Sequence, residues 1–299
     1  MIVSVGDIMV DVYFSFPDQR NPRTDTVGRI ELSGGGSAAN FAVWVARAGR
    51  QSALVGRIGA DSIGMAVEQE LRAEGVRLFL ARDPECDTGR VGVIVGHGGE
   101  RDMICDRRAN ARLSPEDVPK AVIARAEWVH ISGYTFFESG PAAAARMCIE
   151  VAVSHGIPVS VDPAAYAFIR KVGRHAFRDL CAGATAILPN IDEGRAMTGL
   201  DGPEEIAESL LAQFEVVALK LGADGCLGMR RGTHQTVRER VRLDAIPTLA
   251  VDTTGAGDAF DAGFVLEYSR TQDLRKALEQ GNEMGAMVAG QQGARARRA

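Results

Sequence analysis

Short apolar runs rich in β-branched residues alternate along most of the chain with longer stretches of helical periodicity. Ile2 to Val5, Ala53 to Arg57, Trp128 to Ser132, Val159 to Asp162, Ala186 to Pro189 and Val216 to Leu221 read as strands, most of them bounded by glycine, proline or a polar residue. Helical patterns lie between several of these: Ala38 to Ala48 stops at Gly49, Ser62 to Ala73 near Gly75, and Pro141 to Ser154 near Gly156. Each of those glycines suits a helix C-terminus. Strand and helix in alternation predict βαβ units, and so an α/β fold with a central, mostly parallel sheet flanked by helices on both faces.

Two segments break the rhythm. Asp11 to Leu32 and Gly89 to Cys105 read as antiparallel strands, predicting a small separate β-sheet drawn from about residues 12–32 and 89–106. Val91 to His97 and Arg101 to Cys105 flank Gly98-Gly99, a hairpin signal. Such a flap could close over a site as a lid and exclude water; a hairpin of purely structural use fits the pattern equally well. No repeat or low-complexity linker divides the chain, so residues 1–299 are expected to form a single domain.

With 46% hydrophobic and 24% charged residues the composition is that of an ordinary globular protein. A net charge of -5 argues against a nucleic-acid surface and for small-molecule chemistry. Arg295, Arg297 and Arg298 form the obvious basic cluster and are expected to be a solvated, frayed terminus. No stretch approaches the ~18 apolar residues of a membrane span, and the start Met1-Ile2-Val3-Ser4 lacks a cationic leader. Cys86, Cys105, Cys148, Cys181 and Cys226 are scattered and never at metal-ligand spacing, so they read as free thiols in a reducing cytoplasm. His97, His130, His155, His175 and His234 stand in unrelated contexts, which leaves metal hydrolysis unsupported.

The strongest chemical signal is Val251-Asp252-Thr253-Thr254-Gly255-Ala256-Gly257-Asp258-Ala259-Phe260. If a helix begins near Gly257, its first amides lack intrahelical partners and carry the positive end of the helix dipole, so they can cradle an anion. Asp258, inside that donor cluster, could take the proton of a hydroxyl nucleophile; simple helix capping is the plainer explanation. The residues after it support a helix: Phe260, Phe264, Val265 and Tyr268 keep a 3.6 period toward a core and leave Asp261 and Glu267 to water. A Walker-type G-x-x-x-x-G-K-[ST] loop is absent from the sequence.

Other candidates sit where strands end. Gly34-Gly35-Gly36-Ser37-Ala38-Ala39-Asn40 is a second glycine-rich lead-in to a helix, and the Asn40 amide suits a polyhydroxyl ligand. Asp7 and Asp11 follow the first strand, where ligands of open α/β sheets bind. Pro189-Asn190-Ile191-Asp192-Glu193 and Leu219-Lys220-Leu221-Gly222-Ala223-Asp224-Gly225 follow two later strands, and Glu193 could orient water around a magnesium ion.

In this order the pieces resemble the ribokinase-like (PfkB) carbohydrate kinase family over nearly the whole chain. Asp252 to Phe260 is similar to its C-terminal signature, Gly35 to Asn40 to its N-terminal glycine motif, Gly56 to Gly64 to the block that follows, and Asn190 to Glu193 to its N-x-x-E motif. The resemblance implies a phosphotransferase that moves the γ-phosphoryl group of ATP to an alcohol group of a small sugar or sugar derivative. It implies Asp258 as base, Gly255, Ala256 and Gly257 as anion hole, and Asp11, Gly35, Gly36 and Asn40 around the sugar. Asn190, Lys220, Gly222, Gly225 and Asn282 would flank ATP and Glu193 would act on hydrated Mg2+; many relatives also bind K+, and Asp252, the Thr254 carbonyl and the loop ending at Gly293 stand where such a site would be. The implied fold is a ribokinase-like three-layer domain with a β lid that in several relatives makes a dimer contact.

The chain departs from ribose-specific members at Ser37 and Ala38, where lysine and glycine are common, so the sugar stays open. Arg107 and Arg108 could bind a carboxylate or phosphate on the substrate, or be solvated lid residues. Two rival functions are a nucleoside kinase, disfavoured by 6% aromatic residues, and a nonenzymatic sugar or nucleotide sensor, which would have no use for Asp258.

Overall fold

The computed structural model describes residues 1–16, 21, 23–95, 101–232 and 238–295. Its strands are β1 (Ile2–Val5), β2 (Met9–Ser15), β3 (Arg29–Gly35), β4 (Ser52–Gly59), β5 (Arg77–Asp83), β6 (Gly89–Val95), β7 (Arg101–Asp106), β8 (Trp128–Ser132), β9 (Val159–Asp162), β10 (Ala186–Ile187), β11 (Val216–Lys220), β12 (Cys226–Arg231) and β13 (Arg238–Leu243). Its α-helices are α1 (Ser37–Arg47), α2 (Ser62–Ala73), α3 (Lys120–Ile123), α4 (Ser139–Ser154), α5 (Tyr166–Val172), α6 (Arg174–Leu180), α7 (Ile191–Thr198), α8 (Pro203–Leu211), α9 (Ala256–Thr271) and α10 (Leu274–Ala289). Every expected strand and helix is present, with ends shifted by a residue or two; α4 starts at Ser139 rather than Pro141.

A nine-stranded sheet in the order β13-β12-β11-β10-β9-β8-β1-β4-β5 forms the middle layer. All its pairings are parallel except β11–β12 and β12–β13. Parallel strands covered on both faces are buried on both, which is why β1 and β8 are mostly apolar and their buried Ser4 and His130 are hydrogen-bonded, Ser4 to the Ala38 carbonyl and His130 with Ser160. Side chains alternate between two cores. Val3, Val5, Val129 and Ile131 pack with α4 and α8, while Ile2 and Trp128 pack with Phe41, Trp44 and Phe264 under α1, α9 and α10.

A second sheet has the order β3-β2-β6-β7. Its outer pairs are antiparallel, as the sequence suggests, but the central pair β2–β6 is parallel, from Met9 opposite Gly89 to Ser15 opposite Val95. β2 follows β1 and β6 follows β5, both leaving the C-terminal ends of parallel strands of the main sheet, and therefore set out in the same direction. Gly98-Gly99, the expected hairpin turn, lies outside the described residues.

Candidate functional site

A cavity of about 760 Å³ opens where the C-terminal ends of the parallel strands, the inner face of the second sheet and the start of α9 meet. Val91, Val93, Met103 and Cys105 supply an apolar wall from that second sheet.

Helix α9 begins at Ala256, one residue before the expected start, because Gly255 takes a left-handed N-cap conformation at φ 75°. A Cβ there would stand 2.5 Å from the Cβ of Ala294, so glycine alone fits. Thr254, Gly255, Ala256 and Gly257 face the cavity with Asp258 in the first turn. Asn40 of α1 donates Nδ2–H to Asp258 Oδ2 at 2.8 Å. Burial, reinforced by the nearby Asp162 carboxylate, pushes the Asp258 carboxyl up to about 6, against the opposing hydrogen bonds from Asn40 and Ser37 and the charge of Lys220.

The glycines before α1 clear space for the segment from Asp7 to Asp11. A Cβ on Gly35 would lie 2.2 Å from Asp11 Oδ1, and one on Gly36, at φ 91°, 2.4 Å from the Asp7 carbonyl oxygen. Gly35 therefore stands behind Asp11, while Asp11, Gly36 and Asn40 line the cavity itself. Burial raises the Asp11 carboxyl to about 6 although the Arg295 guanidinium works the other way. Asp7 is gripped bidentately by Arg107, at 2.9 Å from Nε and 2.7 Å from Nη2, and Glu138 pairs with the same guanidinium. Arg107 is buried by these contacts, whereas Arg108 is exposed and pairs with Asp106 and Asp87.

At the other end Asn190 caps α7: its Oδ1 accepts from Glu193 N at 2.9 Å, while Glu193 accepts from Asn190 N and Nδ2 at 2.8 and 2.7 Å. Burial, with Asp162 nearby, pushes the Glu193 carboxyl up to about 8. Lys220 ends β11 with its Nζ 2.9 Å from Asp162 and 2.9 Å from Asp261. Burial disfavours its charge, but the two carboxylates outweigh that and hold it protonated. Gly222 and Gly225 follow at φ 61° and 82°, and Asn282 of α10 donates to the Asp244 carbonyl at 3.2 Å; all three line the cavity.

Three expectations change. Asp261 does not face water: α9 is sandwiched between the main sheet, α1 and α10, so the side of the helix carrying Asp261 turns inward onto Lys220. Glu267 is partly buried and paired with Arg270. Arg295 is not a frayed-tail residue. Its side chain is 2% exposed and donates to the Gly35 carbonyl at 2.7 Å, Asn40 Oδ1 at 2.8 Å and Glu70 at 3.0 Å. Arg297 and Arg298 lie outside the described residues.

The last turn before Arg295 is held from below. Asp252, behind the cavity wall, accepts from Thr254 N and Gly293 N, each at 2.8 Å, and so staples the loop before α9 to the one after α10. Asp162, Asp261 and Arg295, to which local sequence assigns no site role, belong to the site. Asp162 closes an expected strand, the same position that marks the other site residues. Asp261 lies three residues beyond Asp258, and the run Gly34-Gly35-Gly36, longer than a helix start requires, is the only sequence trace of the space that Arg295 fills.

Comparison with known proteins gives a consistent result. The profile described as pfkB family carbohydrate kinase matches residues 1–298. A relative named ATP-dependent ribose-1-phosphate kinase, from Halopiger xanaduensis, is 31% identical over 300 residues, covering 98% of this chain and 93% of its own. Adenosine kinase from Sinorhizobium meliloti superposes with a TM-score of 0.85 at 25% identity, covering 98% of this chain and 95% of that one. An Escherichia coli protein solved with ATP and Mg2+ has a TM-score of 0.85 at 22% identity, covering 98% and 94% of the two chains.

Proposed function

The chain belongs to the pfkB family of carbohydrate kinases, whose general activity is ATP-dependent phosphorylation of sugars, and on that footing we propose that Asp258 is its general base. The observation that carries this reading is the meeting of Asp258, its Asn40 partner and the start of α9 at one point of the cavity. A sugar hydroxyl beside Asp258 gives up its proton to the carboxylate as its oxygen attacks the γ-phosphorus in line, and the bond from phosphorus to the β–γ bridging oxygen breaks to release ADP. At the start of α9 the Gly255 and Gly257 N–H groups meet the charge on the moving phosphoryl group, and Ala256, whose own N–H donates to the Thr253 carbonyl at 3.2 Å, joins the hole by releasing that bond.

Asp11, Asn40 and Gly36 take the sugar, with Gly35 making room for Asp11. The carboxylates of Asp7 and Asp11 in this wall suit hydroxyl donors, and Arg107 is engaged by Asp7 and Glu138, which favours a sugar whose contacts here are neutral. Asn190, Lys220, Gly222, Gly225 and Asn282 flank ATP at the other end. Magnesium as the nucleotide's companion is supported by the Escherichia coli complex and by the oxygen donors of Glu193, Asp162 and Asn190 in this wall, of the kind that ion takes directly or through water. When bound, the ion neutralises phosphate charge. Asp252 and the Thr254 carbonyl are assigned to potassium, since the Asp252 staple gathers the loops on either side.

The second sheet acts as a lid, and its exposed Ile30, Leu32 and Ile104 fit a contact with a second copy of the chain. The Sinorhizobium meliloti neighbour favours one further reading, a nucleoside as acceptor. The deciding experiment measures ADP formation from MgATP with ribose, ribose 1-phosphate, fructose, 2-dehydro-3-deoxygluconate and adenosine, with and without potassium. Asp258-dependent turnover of one sugar establishes the reading; turnover of adenosine alone replaces it, and binding without turnover across the panel refutes it.

A further inference from the structure

Arg295 and Asn40 are 255 residues apart in sequence and 2.8 Å apart in space. A guanidinium offers only donors, so the group of the Asn40 amide that faces it must be the oxygen. The amino group is then left facing Asp258, where it donates at 2.8 Å. Either orientation of an amide fills the same volume, but the reversed one would set a carbonyl oxygen against the carboxylate and an N–H against the guanidinium. We propose that Arg295 is a positioning residue of the kinase site: it locks the Asn40 amide so that its N–H is held against Asp258. This rests on the reading of Asp258 as base.

The arrangement is built. Gly34 makes room, since a Cβ there would lie 2.2 Å from Arg295 Nη1. The Gly35 carbonyl and Glu70 hold the remaining corners of the fork. The backbone that delivers Arg295 is itself fixed, by Trp44 Nε1 donating to the Ala294 carbonyl at 3.1 Å and by Gly293 N donating to Asp252. The charged and polar groups around Arg295 are Glu70 of α2, Asp11 of β2, Asn40 of α1 and, farther off, Asp258. Those around Asp258 are Asn40 and Ser37 of α1, Asp162 of β9 and Lys220 of β11, with Tyr134 and Arg295 beyond.

The test uses Arg295→Lys, which keeps the charge and loses the fork, with Asn40→Ala and the double variant, each checked by a melting curve. Two quantities are read: the titration of the Asp258 carboxyl carbon by NMR, and kcat and KM for the accepted sugar. Arg295→Lys is expected to move the Asp258 midpoint upward by about half a pH unit and to lower kcat about tenfold, the scale of one charge-assisted hydrogen bond. In the Asn40→Ala background the lysine is expected to change neither. Equal effects in both backgrounds would overturn the proposal by showing that Arg295 acts through its charge or the fold; so would a rise in sugar KM alone. Should Arg295→Lys fail to fold, Arg295→Gln takes its place in the same cycle. If the wild-type protein phosphorylates nothing, the functional reading falls while the titration still decides the Arg295–Asn40 coupling.

Discussion

The Lys220 ammonium stands 2.9 Å from the Asp261 carboxylate, tying the end of β11 to the turn of α9 immediately after Asp258. With Asp162 on its other side, Lys220 is the counter-ion of two buried acids. Burial holds the Asp261 carboxyl well above the usual range while Asp162 is held low, so Lys220→Met strands chiefly the Asp162 charge and is expected to destabilise the protein by about 3 kcal/mol, read from urea denaturation. Asp261→Asn, which leaves Lys220 paired with Asp162, is expected to cost far less. Equal stability of Lys220→Met and wild type would show that the ammonium does not compensate these acids.

Asp258→Asn keeps the shape and the Asn40 neighbour but cannot accept a proton. Turnover is expected to fall about 100-fold or more, with fold and sugar affinity nearly unchanged in circular dichroism and calorimetry. Normal turnover would remove Asp258 from the role of base.

A base must be ionised in the free enzyme. Because burial raises the Asp258 carboxyl to about 6, kcat/KM is expected to fall as pH drops through that value. A profile flat down to pH 4.5 would exclude a base with this environment.

Raised carboxyl pKa values also act on stability. The folded state binds the Asp11 and Asp258 protons more tightly than the unfolded chain, so this contribution is present below about pH 4 and is lost as pH rises through 6. Asp11→Asn and Asp258→Asn, which never ionise, are each expected to be more stable than wild type at pH 7 by about 1–2 kcal/mol, an advantage that shrinks toward pH 4. Melting temperatures across that range check the sign, and a gain that grows toward low pH would contradict it.

Gly35 is occupied by its neighbour's space rather than by its own conformation. A Cβ there meets Asp11 Oδ1 at 2.2 Å, so Gly35→Ala is expected to push Asp11 aside and raise the sugar KM about tenfold while moving kcat less. Unchanged KM would dissociate Asp11 from sugar binding.

The strands from Ile2 to Lys220 were legible because a parallel strand covered on both faces must be a short apolar run, and helix ends were legible because left-handed glycines close them. The cavity residues at strand ends followed from the same pattern. The parallel β2–β6 pairing was not legible, since strand direction depends on where the chain leaves the main sheet and not on the residues in either strand.

Local sequence therefore determined the alternation of elements, the glycine loops before α1 and α9, and the position of Asp258 at a helix start. Tertiary structure decided which acids are buried and what neutralises them. Asp261 has the spacing of a solvent-facing helix residue until α1 and α10 close over α9, and Arg295 reads as a charged tail until the turn at Gly293 brings it under Asn40. Burial and pairing are properties of what surrounds a side chain, and those surroundings come from segments up to 255 residues away in sequence.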